Sequence, residues 1–431
     1  MKRFLSWFGF DAKTMSLRSE ILAGGTTFLT MAYILAVNPQ ILGTTGMNPG
    51  AQFTITAIAS AFATLVMGWL SHLPLAMAPG MGVNAFFAYT VCNAMGYSWK
   101  FALLAVFLEG LLFLILTVTS LRERIIDAIP LSLKRAIGCG IGFFILFIGL
   151  RNGKVLVDSE ATLVQLGDVT TGEALLTVIG VALTSMLFVL RAPGVFLLGI
   201  FATTLIGIPM GLTNLTHVVD TPPNPSELIL AFSFDQLFSA DLLIVVFTLL
   251  FVDLFNSIGT LVGVASRAGL LNEKGEMPRI RQALMADAIA TTSGALLGTS
   301  TISTYVESAA GIEAGGRSGV TSLVTALCFA GALFFAPLFL AVPAAATAPV
   351  LILVGILMIS TMAEVDLKDP VDLVPFVLCV ALIPLSGNIA DGLIAGVLVH
   401  ILLRLVTRRF RELSFSTILL GLFFLLRFIL K

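Results

Sequence analysis

The 431-residue chain contains very little charge. Asp, Glu, Lys and Arg make up only 11% of it, whereas 58% is hydrophobic, and the mean hydropathy is +1.03. A soluble protein of this length needs far more charge to cover its surface, so the composition excludes a soluble globular protein. The formal net charge of −1 says nothing about a nucleic-acid partner, but the sequence has no basic patch and no interleaving of aromatic with basic residues, so we predict no nucleic-acid partner.

Cysteine and histidine are also scarce, with four and three residues. The cysteines lie in or near apolar segments without metal-ligand spacing, and we interpret them as small core residues. They are Cys92, Cys139, Cys328 and Cys379. The sequence contains no nucleophile–base set, metal cluster or phosphate-binding loop. It therefore predicts neither an enzyme nor a metal or cofactor site.

The first residues, MKRFLSWFGFDAK, lack the long apolar stretch of a cleavable signal peptide. Aromatic and apolar residues lie among charged ones there, which predicts a short helix lying on the membrane surface.

Apolar runs of about 20 residues, the length that crosses a bilayer, recur along the chain. They predict an all-α polytopic membrane protein with about fourteen spans. The predicted spans are 20–37, 52–70, 75–91, 101–119, 133–149, 173–190, 193–213, 240–265, 281–297, 299–312, 319–340, 346–362, 371–386 and 388–405. A further apolar segment, roughly 414–430, is either a fifteenth span or an interfacial segment.

Basic residues predict the orientation of these spans. They concentrate at the N-terminus and after the fourth, eighth and fourteenth spans, which threading places on one side. By the positive-inside rule this is the cytoplasmic side. The loop 214–241 carries acidic residues without Lys or Arg and falls on the other side of the membrane. Arg151 and Lys154, in a different loop on that side, are an exception to the rule.

The third and tenth spans are interrupted. The third contains PLAMAPGMGVNAFFAY and the tenth GTSTISTYVESAAG, and each begins with an irregular or extended stretch before becoming helical. We place Val83-Asn84-Ala85 in the first as the counterpart of Val306-Glu307-Ser308 in the second. Each is third in a run of seven, which is typical of an inverted repeat with a binding site between its broken helices.

Glu307 is the most informative residue of these segments. A carboxylate is favoured at a helix N-terminus, and a broken helix leaves backbone groups that face protein or a cavity. We therefore expect Glu307 to face a ligand, with Asn84 on the other half-helix. The alternatives are a packing carboxylate at Glu307 and an Asn84 that bonds only across helices.

The eighth span, FTLLFVDLFNSIGTLVGVA, contributes a third polar element. Asp253 and Asn256 share a helix face, with Thr260 one turn further on. An acid inside a membrane is a functional candidate by default, although Asp253 as a helix–helix contact is the alternative. Asp391 begins the last span and is either functional or a helix cap.

Together these segments resemble the AzgA-like purine permeases of the nucleobase–ascorbate transporter fold. The residues that carry the resemblance are GGTTFLTMAYILAVNPQIL, PLAMAPGMGVNAFFAY, LFVDLFNSIGTLVGV and GTSTISTYVESAAGIEAGGRSGVT, and it extends over about 18–412. It implies proton-coupled uptake of adenine, guanine or hypoxanthine across a bacterial inner membrane, with a cytoplasmic N-terminus and protons as the coupling ion.

The resemblance also implies two inverted seven-span repeats, membrane lipids around the protein and homodimerisation. A core domain would comprise about 18–119 and 240–340, and a gate domain about 133–213 and 346–405, followed by the additional apolar segment 413–431. Members of this branch commonly have aspartate where this chain has Asn256. That departure leaves open which group of the eighth span carries the proton.

We thus predict two sets of site residues. The substrate-binding set is Glu307, Asn256, Asn84, Tyr305, Val306, Ala85, Phe86 and Thr304. The proton-coupling set is Asp253, Glu307 and Asp391. The alternatives are a transporter of uracil or xanthine and an anion transporter of the same fold, although a fixed carboxylate at Glu307 would repel an anion.

Overall fold

The structure, a computed structural model, is built almost entirely from helices. It describes residues 2–119, 131–159, 162–170, 172–215, 217–267, 277, 279–365 and 367–413, and also 417–418, 421–422 and 424–425. The predicted C-terminal segment 413–431 therefore lies for the most part outside the described residues.

The first half contains nine helices and three short strands among the described residues. They are α1 (Lys2–Leu5), α2 (Leu17–Met31), α3 (Ile34–Gly43), α4 (Pro49–Ser71), β1 (Met77–Pro79), α5 (Met81–Ala85), α6 (Trp99–Thr119), α7 (Leu131–Asn152), β2 (Leu156–Ser159), β3 (Leu163–Leu166), α8 (Gly172–Val189) and α9 (Val195–Gly207). A 3₁₀ turn, Ser6–Phe8, follows α1, and a π-helical stretch, Phe86–Ala94, continues α5.

The second half contains eight helices and one short strand among the described residues. Its elements are α10 (Ala240–Arg267), α11 (Ile280–Leu297), β4 (Ile302–Thr304), α12 (Ser308–Glu313), α13 (Gly319–Ala332), α14 (Ala336–Leu340), α15 (Ala344–Ile359), α16 (Pro370–Ser386) and α17 (Ile389–Val406). Short 3₁₀ turns occur at Leu333–Phe335, Ser360–Glu364 and Phe410–Glu412.

Most of the predicted spans coincide with one helix. The first span is divided between α2 and α3 and the eleventh between α13 and α14, whereas the third and tenth each consist of a short strand followed by helix. Seven helical segments among the described residues are long and apolar enough to cross a membrane, and three shorter apolar helices accompany them. The prediction of an all-α polytopic membrane fold with two broken spans is confirmed.

The helices pack in two sets. In the first set, α4 packs on α11 and α13, α6 packs on α10 and α11, and α2 packs on α12 and α13. In the second set, α7 packs on α15 and α16, α16 packs on α17, and α15 packs on α8 and α9. Whether these sets move against each other as core and gate domains stays a prediction.

The two broken spans meet at the centre of the first set. Strands β1 and β4 pair antiparallel, with Ala78 opposite Ser303 and Met77 opposite Thr304. Tyr305 N–H donates to the Ala76 carbonyl at 3.0 Å and extends the ladder by one bond. The broken segments therefore run in opposite directions past each other, as an inverted repeat requires.

The first span contains a break of its own. Helix α2 ends at Met31 and α3 begins at Ile34, so Ala32 and Tyr33 lie between the two helices. Tyr33 is fully buried. This break places Tyr33 beside the second broken span.

The predicted N-terminal helix is present as α1 and the turn that follows it. Leu5 and Phe8 pack against Val320 near the start of α13, whereas Phe4 and Trp7 stay exposed. One side of this segment is thus attached to the helix bundle, and the other presents aromatic side chains suited to a membrane interface.

Candidate functional site

Glu307 lies where strand β4 gives way to helix α12. It is the N-cap of α12, with φ −58° and ψ −18°, and its side chain is partly exposed. The Tyr33 hydroxyl donates to Glu307 Oε1 at 2.8 Å, whereas the Thr30 hydroxyl donates to the Thr27 carbonyl at 2.8 Å and lies 3.4 Å from the Glu307 carbonyl. The first span therefore orients the carboxylate of Glu307.

Tyr33 and Thr30 were not predicted as site residues. The Tyr33 ring also makes an edge contact with Phe196 of α9, at 5.4 Å between centroids. Tyr33 thus connects Glu307 to a helix of the second packing set. A polar ring inside the apolar run TMAYILAV was the available signal, because a buried tyrosine hydroxyl usually has a hydrogen-bond partner.

The neighbours of Glu307 in the sequence have different environments. Val306 is 49% exposed and lies open beside the carboxylate. Tyr305 is 6% exposed, and its hydroxyl donates to the Pro79 carbonyl at 2.6 Å, so this side chain fastens β4 to β1. Thr304 is buried in β4, and its Oγ1 has no hydrogen-bond partner among the described residues.

Asn84 occupies a sealed polar network. Its amide Nδ2 donates to Asn38 Oδ1 at 2.6 Å, and Ser300 Oγ donates to its Oδ1. Asn38 Nδ2 in turn donates to Thr56 Oγ1 at 2.7 Å. Asn84 is fully buried. These contacts favour bonding across helices, while the predicted role of Asn84 in substrate binding stays a prediction.

The expected correspondence of Asn84 with Glu307 is wrong in detail. Helix α5 begins at Met81 with Gly80 as its N-cap, so Asn84 lies one turn inside, and its N–H already donates to the Gly80 carbonyl at 2.8 Å. By helix position, the counterpart of Glu307 is Gly80. Ala85 and Phe86 follow as buried packing residues, 2% and 1% exposed.

The predicted eighth-span group lies on α10. Asp253 is fully buried, and Ser257 Oγ donates to its Oδ1 at 3.4 Å. Thr260 is also buried. The side chain of Asn256 lies outside the described ones, so its predicted contact with a substrate stays a prediction.

Asp391 lies in the first turn of α17, at the end that the predicted orientation places outside. The N-cap of this helix is Asn388, whose Oδ1 accepts from the Ala390 N–H at 2.9 Å. The alternative role considered for Asp391, the helix cap, thus belongs to Asn388.

Sequence reasoning did not single out three further buried acids. Glu109 of α6 and Asp287 of α11 are fully buried, and Thr301 Oγ1 donates to Glu109 Oε2 at 2.6 Å. Glu20 of α2 accepts from the Arg317 N–H at 3.1 Å and from Thr321 Oγ1 at 2.5 Å. Glu20 thereby caps the start of α13 from a neighbouring helix.

Among the described residues, no group of three or more His, Cys, Asp or Glu side chains has an arrangement that could hold a metal ion. The carboxylate of the half-buried residue Glu307, oriented by Tyr33, instead suits a ligand that presents N–H donors. A neutral, planar, hydrogen-bonding molecule matches it better than an anion, because a fixed carboxylate repels negative charge.

A model described as Permease family matches residues 18–390 of this chain. The adenine permease AdeP of Escherichia coli is 39% identical over 412 residues, covering 96% of this chain and 93% of AdeP. The guanine/hypoxanthine permease PbuG of Bacillus subtilis is 41% identical over 408 residues, with 91% of each chain covered. Both names are those of transporters, in agreement with the prediction that the chain is not an enzyme.

A solved structure shares the fold. The transmembrane domain of the bicarbonate transporter BicA of a cyanobacterium superposes with a TM-score of 0.65 at 17% identity, covering 88% of this chain and 97% of that domain. At this identity the likeness concerns the fold alone.

Proposed function

Because the chain belongs to this permease family, we propose that it carries purine nucleobases, namely adenine, guanine and hypoxanthine, into the cell across the bacterial inner membrane. The names of its relatives support a nucleobase as the substrate class. The observation that carries the proposal is Glu307, a half-buried residue whose carboxylate accepts from Tyr33 at the meeting point of two broken spans.

The chemistry of a purine fits this position. A purine is flat, neutral and lined with N–H donors and ring-nitrogen acceptors. The Glu307 carboxylate accepts N–H bonds from the base, and charge-assisted bonds of this kind are the strong ones. Tyr33 holds one carboxylate oxygen in place at 2.8 Å, which fixes the orientation in which the base is bound.

Transport then requires alternating access and an energy source. In the proposal, the first packing set slides against the second and exposes the site to each side in turn, with the N-terminus cytoplasmic and two copies forming a dimer. Protons supply the energy, because a buried acid inside the membrane can change its charge by taking up or releasing a proton. Asp253, Glu307 and Asp391 are the predicted proton-coupling residues.

The rival transport functions differ in their substrates. An anion transporter of the same fold is disfavoured by Glu307, whose negative charge would repel bicarbonate or sulfate. A permease for uracil or xanthine differs from the proposal only in which edge of the base is recognised, so competition between bases separates the two.

The test is uptake of labelled hypoxanthine by cells that lack their own purine permeases and express this chain. We expect saturable uptake that unlabelled adenine, guanine or hypoxanthine inhibits, and that a protonophore abolishes. Glu307→Ala, expressed to the same level, serves as the inactive control. Inhibition by uracil or bicarbonate in place of the purines would contradict the proposed substrate. Uptake that follows a sodium gradient and ignores pH would contradict proton coupling.

A further inference from the structure

Gln40 joins the two packing sets through both ends of its side-chain amide. It lies on α3, which packs on α4 of the first set. Its Nε2 donates at 2.8 Å to the carbonyl of Val342, in the link that leads into α15. Its Oε1 accepts from the hydroxyl of Thr347, on α15 of the second set, at 2.5 Å. A carbonyl can only accept, so the bond to Val342 fixes which end of the amide faces Thr347.

Two further hydrogen bonds cross the same boundary. Asn152 Nδ2, at the last residue of α7, donates to the Tyr89 hydroxyl at 3.1 Å. Thr90 Oγ1 donates to the carbonyl of Gly387, the residue that follows α16. Tyr89 and Thr90 belong to the π-helical stretch, which packs on α6 of the first set, whereas α7 and α16 belong to the second.

All three contacts lie at one end of the helix bundle. Gln40 is in the last turn of α3, and Tyr89 and Thr90 are near the end of the π-helical stretch. Asn152 ends α7, and Gly387 follows the end of α16. These are the ends of the first, third, fifth and thirteenth predicted spans. Successive spans cross the membrane in opposite directions, so odd-numbered spans all end on one side, which the proposed orientation places outside.

Aromatic rings bridge the two sets at the same end. The centroid of Phe339, on α14 at the end of the eleventh span, lies 5.7 Å from that of Phe53 on α4 and 5.8 Å from that of Phe201 on α9. Apolar contacts are non-directional, so the rings can slide past each other. A hydrogen bond, by contrast, is lost once its heavy atoms separate beyond about 3.5 Å. The three hydrogen bonds therefore hold the sets in one relative position at this end.

We propose that the contacts of Gln40, Tyr89 and Thr90 with the second set form an outer latch, which keeps the substrate site closed to the outside and must break before a base can enter. The inference rests on the proposed function, because the sliding of the two sets belongs to it. The structure is accordingly the outside-closed state. Breaking the latch shifts the equilibrium towards the outside-open state.

The size of that shift follows from the net value of a hydrogen bond. An opening wide enough for a base admits water, which replaces the lost partners, so each bond contributes only its modest net stability. The loss of one such bond changes the ratio of closed to open protein about fivefold.

The first experiment measures opening without any substrate. Thr90 is fully buried where it meets Gly387, so a cysteine at this position becomes accessible when the sets separate. Thr90→Cys is made in a background in which the four native cysteines are replaced by alanine. A membrane-impermeant maleimide is added outside spheroplasts, and the rate of labelling is followed.

We expect Thr347→Val to increase this labelling rate about fivefold, since valine keeps the shape of threonine but cannot bond to Gln40. Thr45→Val is the matched control, because the Thr45 hydroxyl donates to the Leu42 carbonyl of α3 itself, at 2.6 Å. It should leave the rate unchanged. Should Thr90→Cys fail to insert, Asn152→Cys is the reporter for the same comparison.

The second experiment prevents the latch from opening. Gln40→Cys and Thr347→Cys are combined in the same cysteine-free background and joined by a short bifunctional methanethiosulfonate reagent. Uptake of labelled hypoxanthine should fall to the background level when the two residues are crosslinked and return when the crosslink is reduced. Each single variant, treated with the same reagent, controls for modification without crosslinking.

The outcomes separate the latch from the proposed function. Equal labelling rates with and without Thr347→Val, labelling only after the membrane is permeabilised, or uptake by fully crosslinked protein would each overturn the latch. A wild-type chain that takes up no purine contradicts the proposed function. The labelling rates still test the latch in that case, because labelling requires no substrate.

Discussion

The two broken spans share a backbone arrangement but differ in their side chains. Strands β1 and β4 pair antiparallel about Ala78 and Ser303, and each leads into a helix. In the first, Asn84 is fully buried and bonded to Asn38 and Ser300. In the second, Glu307 is a half-buried residue whose carboxylate accepts from Tyr33.

This difference shows how an inverted repeat can divide its roles. The antiparallel pairing places both helix starts at one point, because backbone geometry is common to the halves. Side chains then distinguish them. In the first half the polar side chains bond to each other and serve as a scaffold, whereas the second half presents a charged acceptor, Glu307. The comparison predicts that substitutions in the second affect binding and substitutions in the first affect stability.

Glu307→Gln is expected to have the largest effect. It keeps the size of the side chain but removes the charge and replaces an acceptor oxygen with a donor. A hydrogen bond to a charged group is worth about 1.5–3 kcal/mol, so the affinity for purine should fall roughly 10–150-fold. Calorimetry on detergent-purified protein measures it. Wild-type affinity in a folded variant would show that the base is held elsewhere, and loss of folding would favour a packing role.

Asn84→Ala should show the opposite pattern. Asn38 Oδ1 and Ser300 Oγ lose their partner inside the protein, and a buried group left unsatisfied costs about 1–3 kcal/mol. We expect a lower thermal melting temperature, while the affinity for purine changes less than about twofold. An affinity loss as large as that of Glu307→Gln would break the comparison and assign substrate binding to Asn84.

Tyr33→Phe tests the second broken span, where Tyr33 donates to Glu307. It removes the 2.8 Å hydrogen bond to Glu307 and keeps the ring against Phe196. A net loss of about 1 kcal/mol corresponds to a roughly fivefold weaker affinity for purine. Equilibrium binding measures it, with Tyr305→Phe as the control that breaks the strand contact to Pro79 instead. Equal affinity of Tyr33→Phe and the wild type would mean that Tyr33 does not orient the carboxylate.

Thr304→Val should have the smallest effect. Its buried hydroxyl has no partner among the described residues, and valine has nearly the same shape. Because a buried unsatisfied hydroxyl is itself destabilising, replacing it should leave the affinity for purine unchanged and raise the free energy of unfolding by about 1 kcal/mol. Thermal melting and binding assays check both. A clear loss of affinity would identify Thr304 as a direct ligand of the base.

Much of the candidate site was accessible from local sequence patterns. Pro79 and Gly80 in one segment and the Ser- and Thr-rich stretch before Glu307 in the other signalled breaks in the helices, and the structure has both breaks. The partner Tyr33 was not accessible, since it lies 274 residues from Glu307 in the chain. The hydrogen bonding of Asn84 could not be predicted from the sequence either, because its partner Ser300 lies in the other half of the chain.

The sequence by itself determined the membrane class, the spans and the two interruptions. A bilayer imposes a fixed apolar length on every spanning helix and requires its backbone groups to be bonded internally, so each span can be read locally. Only the tertiary structure decided what each buried acid contacts. Glu109 is a single acid in WKFALLAVFLEGLLFLILTVT, and the fold brings the Thr301 hydroxyl, 192 residues away in the chain, to its Oε2. The energy of a buried charge depends on its neighbours in space, and those come from distant parts of the chain.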